Sequence, residues 1–248
     1  MFGAVIFDFD GVIVDSEPLH YRAIQAALAT VGLGFGYDEY LARYVGFDDR
    51  DVFREALRAA GQAVAEDRVA ALCRLKAAAF RHLLDGDIPA VAGAAPLIRE
   101  LAAQGVPLAV ASGALEAEIR FVLGRLGLTD CFSVVVSSDQ VAVSKPDPAT
   151  YRLAVERLTA AFPNRGIRAG ACLAIEDTAC GVASARGAGL RVLALTTTTT
   201  ALDLAGADWV RPDLSGVSAE DILADQYFFS GAGSPASSRG FPEEDFPR

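Results

Sequence analysis

Five short runs of the chain are apolar throughout, and they alternate with segments of helical periodicity. The runs cover residues 4–7, 108–111, 134–136, 173–175 and 192–195. The helical segments between them lie near 93–104, 114–126, 148–161 and 178–187. A strand without a polar face must be covered on both sides, and helices between such strands supply the cover. The pattern predicts an α/β protein with a doubly wound, Rossmann-like parallel sheet. With 248 residues, 52% of them hydrophobic, the chain has ample material for such a core.

One interval breaks the alternation. Residues 17–85 contain no strand run, only helical periodicity over 17–31, 38–44, 49–60 and 64–84. The simplest account is a helical domain inserted after the first strand. The turn after Asp10 and the stretch Gly86-Asp87-Ile88-Pro89 would be its two hinges. Residues 1–15 and 87–225 then form the core domain, and 16–86 the inserted helices. Residues 226–248, rich in Gly, Ser and Pro, are expected to be disordered. The run of five threonines, 196–200, reads as a loop following the fifth strand, at the same sheet edge as the other polar clusters, with no assigned chemistry.

The polar residues at the strand ends carry the chemistry. The first run ends in Asp8-Phe9-Asp10-Gly11, the second in Ser112-Gly113, and the fourth in Glu176-Asp177. All C-terminal ends of a parallel sheet lie on one edge, where open α/β folds bind ligands. Four carboxylates and a hydroxyl from distant stretches therefore meet. Lys145, in "VSKPDP" before another helix, can reach the same edge. So many carboxylates repel one another, and a hard divalent cation such as Mg²⁺ resolves the conflict. A lysine, a hydroxyl and backbone N–H groups at Gly11 and Gly113 suit a phosphoryl group. An aspartate can attack phosphorus to form an aspartyl phosphate. The plain alternative is that strand-end Asp and Ser are helix N-caps. It accounts for any one position better than for all of them together.

Composition excludes several partners. Asp and Glu outnumber Lys and Arg 32 to 22, for a net charge of −10. That argues against nucleic acid and anionic membranes, but not against a small anion in a locally positive pocket. No apolar run approaches the roughly 18 residues a membrane span needs. Nor does the N-terminus read as a signal peptide. A cytoplasmic protein, a monomer or weak dimer, is expected. Cys73, Cys131, Cys172 and Cys180 show no CxxC spacing and read as reduced, buried thiols.

Taken together, "DFDGVIVDSEP", "VASG", "SKPDP" and "IEDT" resemble, in order, the motifs of the haloacid dehalogenase superfamily. The resemblance covers roughly residues 1–215 and is strongest to the phosphatases and mutases that insert a helical cap after the first strand. It implies that Asp8 is the nucleophile and Asp10 the general acid/base. It implies that Ser112 and Lys145 hold the transferring phosphoryl. It further implies that Asp8, the Asp10 backbone carbonyl and Asp177 bind Mg²⁺, with Glu176 a direct or water-bridged contributor. Dehalogenases and phosphonate-cleaving relatives lack an acid at the position of Asp10. Chemistry at a phosphate ester of a small metabolite, a sugar phosphate or phosphoglycolate, is therefore expected.

The cap should set specificity by closing over the site. On a helical wheel of 64–84, Lys76 falls in the apolar stripe of Val69, Leu72, Cys73, Phe80 and Leu83. It is either a snorkelling lysine or one that faces an anionic pocket. His20 lies in the stripe of Leu19, Ala23, Ala27 and Val31. It is either a satisfied core histidine or a contact to the active site near Asp10. Both resemble positions used by beta-phosphoglucomutases and related sugar phosphatases. Arg43 and Arg50 either read the polar end of a substrate or are solvent-exposed helix arginines. The beta-phosphoglucomutases carry a Ser-Arg pair in the cap loop where this chain has Asp48 and Asp49, and a lysine after the second motif that is missing here. A second phosphate would meet acid, which favours hydrolysis. The alternatives are a beta-phosphoglucomutase-like mutase and a non-catalytic phosphate-binding protein.

Overall fold

The computed structural model describes residues 2–224 apart from 45, 46, 48, 85 and 87. The expected disordered tail, 226–248, lies outside the described residues. Six parallel strands run in the order β3-β2-β1-β4-β5-β6. They are β1 (Ala4–Phe7), β2 (Leu108–Ala111), β3 (Val134–Val136), β4 (Cys172–Glu176), β5 (Arg191–Leu195) and β6 (Trp209–Arg211). Every residue of β1 to β4 is buried, because helices cover both faces. The covering helices are α5 (Ala94–Ala103), α6 (Glu116–Arg125), α7 (Ala149–Ala161), α8 (Ala179–Gly187) and α9 (Ala219–Ala224).

The alternation of side chains across β1 divides the core. Val5 and Phe7 enter one apolar cluster with Leu97, Ile98 and Ile119 of α5 and α6. Ala4 and Ile6 enter the other, with Tyr151 and Leu158 of α7 and Val182 of α8. The chain winds outward from β1 to β3, then returns to place β4 on the other side of β1. That reversal opens a crevice at the C-terminal ends of β1 and β4, where ligands bind in such sheets.

Between β1 and α5 the chain forms α1 (Glu17–Ala29), α2 (Tyr37–Arg43), α3 (Asp49–Ala59) and α4 (Glu66–Leu84). These helices bury their own cluster, including Leu28, Tyr44, Phe53, Leu57 and Leu72, separate from the two on the sheet. The two crossings between this cap and the core run side by side. Val14 bridges Ala90, and the Asp15 N–H donates to the Pro89 carbonyl at 2.8 Å. Asp87 of the expected second hinge lies outside the described residues.

The short strand β6 and the six-residue α9 were not anticipated. All three residues of β6 are only partly buried, as befits an edge strand, so it leaves no apolar run in the sequence. The thiols correct one expectation. Only Cys172 is buried; Cys73 and Cys131 are partly buried, and Cys180, in the first turn of α8, is exposed. No described helix is long and apolar enough to cross a membrane.

Candidate active site

Strand register brings the motif residues together. Phe7 lies opposite Ile175, so Asp8 and Glu176 leave their strands side by side. The Asp8 N–H continues the ladder to the Ile175 carbonyl at 2.9 Å. On the other flank Val110 pairs with Phe7, and Ser112 follows two residues later. Lys145 enters from the loop before α7. Its Nζ lies 2.9 Å from Asp8 Oδ1 and 2.5 Å from Glu176 Oε1. The buried Tyr151 hydroxyl also donates to Glu176 Oε1, at 2.8 Å. The other oxygen of Glu176 accepts from the Asp177 N–H and from Thr178.

None of the strand-end acids is spent as a helix cap. The N-cap of α8 is Thr178, whose hydroxyl accepts from the Gly181 N–H. The residue capping α6 is Leu115, not Ser112; the Ser112 hydroxyl accepts from the Ala114 N–H at 2.9 Å. Ser16 precedes α1 but does not cap it with its side chain. Its hydroxyl donates to Asp10 Oδ1 at 2.6 Å instead. A capping bond worth about 1 kcal/mol is forgone there to fix Asp10.

Burial and crowding set the electrostatics. Burial, with repulsion from Glu176 and Asp10, pushes the Asp8 pKa up to about 7 against the pull of Lys145. Asp177 is pushed up to about 8 by burial, Asp8 and Glu176. Burial opposes the charge on Lys145, but Asp8 and Glu176 more than compensate and hold its pKa above the ordinary lysine value. Asp10 is raised by burial, opposed by the Ser16 hydrogen bond and by the two lysines. A raised carboxyl pKa suits a group that must give and retrieve a proton near neutrality.

These residues fit a divalent cation. Asp8, Glu176 and Asp177 offer oxygens that lie within 4.8 Å of one another. Asp177 Oδ1 is buried with no hydrogen-bond partner among the described residues, an uncompensated acceptor that a hard cation would satisfy. Two glycines permit the close approach. A Cβ on Gly11, at φ 71°, would come within 1.8 Å of Asp177 Oδ2, and one on Gly181 within 1.9 Å of Glu176 Oε2. Because protein donors engage both Glu176 oxygens, its clearest work is to hold Lys145 beside Asp8.

The site opens into a cavity of about 690 Å³ between core and cap. Asp10, Ser112, Gly113 and Lys145 form its floor, and Glu17, His20, Tyr40, Asp49 and Lys76 face it from the cap. Lys76 is 5% exposed, and its Nζ lies 2.8 Å from both Asp49 Oδ1 and His20 Nδ1. His20 stacks on Phe80 with ring centroids 4.3 Å apart. Burial, and then the Lys76 charge, push its pKa down to about 3, so the ring is neutral at pH 7.

Other expected residues lie elsewhere. Arg43 is exposed on the outside of the cap, paired with Glu39 at 3.1 Å and Glu55 at 3.7 Å. Arg50 is likewise exposed and does not line the cavity. The Gly11 N–H donates to the Val14 carbonyl at 2.8 Å, so the turn uses the group expected to meet phosphate. Asp48 lies outside the described residues. Sequence reasoning missed Glu17 and Tyr40, which meet through a 2.8 Å hydrogen bond from the tyrosine hydroxyl to Glu17 Oε2. The "DSEP" motif contained Glu17. Tyr40 gave only a helical apolar signal.

The fold and site define a hydrolase class, and the comparisons agree. Residues 2–189 match the family model for haloacid dehalogenase-like hydrolases, and the chain belongs to that family. It is 33% identical over 229 residues to protein CbbY of Rhodobacter capsulatus, covering 88% of this chain and 96% of that protein. It is 30% identical over 196 residues to the fructose-1-phosphate phosphatase YqaB of Escherichia coli, covering 76% of this chain and 94% of the relative. Among solved structures, a mutant CbbY from Rhodobacter sphaeroides in complex with xylulose-(1,5)bisphosphate superimposes with a TM-score of 0.71. That match is 28% identical and covers 87% of this chain and 96% of the other.

Proposed function

We propose that the chain is a Mg²⁺-dependent phosphatase of a small phosphorylated metabolite, working through an aspartyl phosphate. One observation carries the reading. A buried lysine joins Asp8 to Glu176 beside an unpartnered oxygen of Asp177, at the floor of a cavity that also holds Asp10 and Ser112. Mg²⁺ would be held by Asp8, Asp177 and the Asp10 backbone carbonyl, where it supplies positive charge to the phosphoryl oxygens. Lys145 and the Ser112 hydroxyl bind and orient that group. An Asp8 carboxylate oxygen attacks phosphorus. The bond to the substrate alcohol breaks, and Asp10 gives the departing oxygen its proton. Water then attacks the aspartyl phosphate. Asp10 takes the water's proton, and orthophosphate leaves with Asp8 restored.

The cavity supports a sugar phosphate over phosphoglycolate. About 690 Å³ is far more than a two-carbon acid requires, and it lies within the usual range for small-molecule sites. Two relatives fit this, one named a fructose-1-phosphate phosphatase and a CbbY structure with a sugar bisphosphate, while others at 28–30% identity are named phosphoglycolate phosphatases. Asp49 favours hydrolysis over the mutase alternative. A mutase must hold a bisphosphorylated intermediate, yet Lys76, the cap's buried cation at this cavity, is already paired with Asp49. A non-catalytic binder would not need Asp10, which Ser16 fixes beside Asp8. The test is orthophosphate release from a panel of sugar phosphates, sugar bisphosphates and phosphoglycolate, with and without Mg²⁺. Conversion of glucose 1-phosphate to glucose 6-phosphate without stoichiometric orthophosphate would establish the mutase instead.

A further inference from the structure

The threonine run after β5 reaches further than a local turn. β4 separates β5 from β1 in the sheet, yet Thr197 Oγ1 donates to the Gly11 carbonyl at 2.6 Å. Thr199 Oγ1 donates to the Asp177 backbone carbonyl at 2.9 Å. Thr198, between them, sits beside the Asp177 side chain near Gly11 and draws its pKa down. The loop therefore crosses the end of β4 and ties the turn after Asp10 to the loop that carries Asp177. All three pieces meet at Gly11, where an added Cβ would lie 1.8 Å from Asp177 Oδ2 and 2.8 Å from Thr198 Oγ1.

Thr30 bonds the Ala27 carbonyl, Thr200 bonds Asp203, and Thr159 bonds the carbonyls of Val155 and, eight residues on, Ile167. Thr197 and Thr199 instead span 186 and 22 residues. They act where the structure most needs restraint. Asp8, Glu176 and Asp177 crowd their oxygens within 4.8 Å, and their repulsion pushes the ends of β1 and β4 apart. A cation site needs its ligands held at a set spacing, and groups behind the ligands supply that hold.

We propose that Thr197 and Thr199 are positioning residues that fix the Asp10 turn against Asp177 and thereby set the affinity for Mg²⁺. The proposal rests on Asp177 being a metal ligand. Calorimetric titration with Mg²⁺ alone tests it, without substrate. The variants are Thr197→Val and Thr199→Val, singly and together, beside the matching Thr→Ser pair. Valine keeps the shape and removes the hydroxyl; serine keeps the hydroxyl.

The double valine variant should bind Mg²⁺ about 10-fold more weakly. The serine pair should bind as the unaltered protein does, and each single valine should show part of the loss even if the double variant does not fold. Unchanged affinity in the valine variants would overturn the proposal. So would an equal loss in the serine pair, or a lower melting temperature of the metal-free protein with Mg²⁺ affinity intact. Asp177→Asn separates the two levels. If it binds Mg²⁺ as well as the unaltered protein, the assignment of the metal site fails, and the clamp with it.

Discussion

Lys145 stays charged because two carboxylates face it, and those carboxylates stay close because Lys145 separates them. Each side of the Asp8–Lys145–Glu176 arrangement offsets the buried charge of the other. Removing the lysine should therefore harm both fold and chemistry. Lys145→Ala should cost about 3 kcal/mol, because it leaves Glu176 buried without its cation. It should also lower kcat by about 10²–10³-fold, as expected when a donor to developing charge is lost. Thermal denaturation and initial rates check the two effects separately. Loss of rate with full stability would mean that the pair does not support the fold.

His20 makes a pH prediction at the same scale. Its pKa falls from 6.5 to about 3 on folding. Between those values the unfolded chain binds more protons, so stability rises with pH, and it is lost as pH falls below 6.5. His20→Gln should flatten the stability profile between pH 6.5 and 4, by at most about 1.4 kcal/mol per pH unit. In the unaltered protein the His20 ring resonances should not titrate between pH 8 and 5. A midpoint near 6.5 would contradict the Lys76–His20 contact.

At the scale of elements, the cap has its own packed cluster, is joined to the core cluster through Leu19 and Leu84, and carries one wall of the site. Tyr40 belongs to its apolar cluster and to the cavity. Phe53→Ala should cost the cap about 3–5 kcal/mol. Because Tyr40 and Glu17 would lose their fixed position, KM should rise more than kcat falls. Hydrogen exchange should quicken across 17–84 and stay slow in β1 and β4. Uniform quickening would mean that cap and core unfold as one.

The strands buried on both faces were legible as apolar runs; the one buried charge in them, Glu176 at the end of β4, is compensated by Lys145 and Tyr151. The cap helices were legible from their stripes, down to the place of Lys76 among apolar neighbours. β6 was illegible because an edge strand needs no apolar run, and α9 because six residues carry too little periodicity. The motif residues could be read because their order and types are specific. The threonine run could not, since its importance lies in which carbonyls it reaches, and only the crossing over β4 reveals them. Arg43 could be read as a substrate contact or as an exposed helix arginine; it is exposed and paired with Glu39 and Glu55.

For the whole molecule, the acidic surface and the buried lysines divide the work. The net charge of −10 disfavours polyanionic partners, while the two lysines, Lys145 and Lys76, both lie at the cavity. On the proposed function, this arrangement suits a small phosphorylated ligand between core and cap. The central claim is that Asp8 accepts a phosphoryl group and that water removes it. The most direct measurement is orthophosphate release from sugar phosphates in the presence of Mg²⁺, with Asp8→Asn alongside. Stoichiometric release that falls to background in Asp8→Asn, with the variant's melting profile still cooperative, is the predicted result. Full release by the folded Asp8→Asn variant would contradict the account.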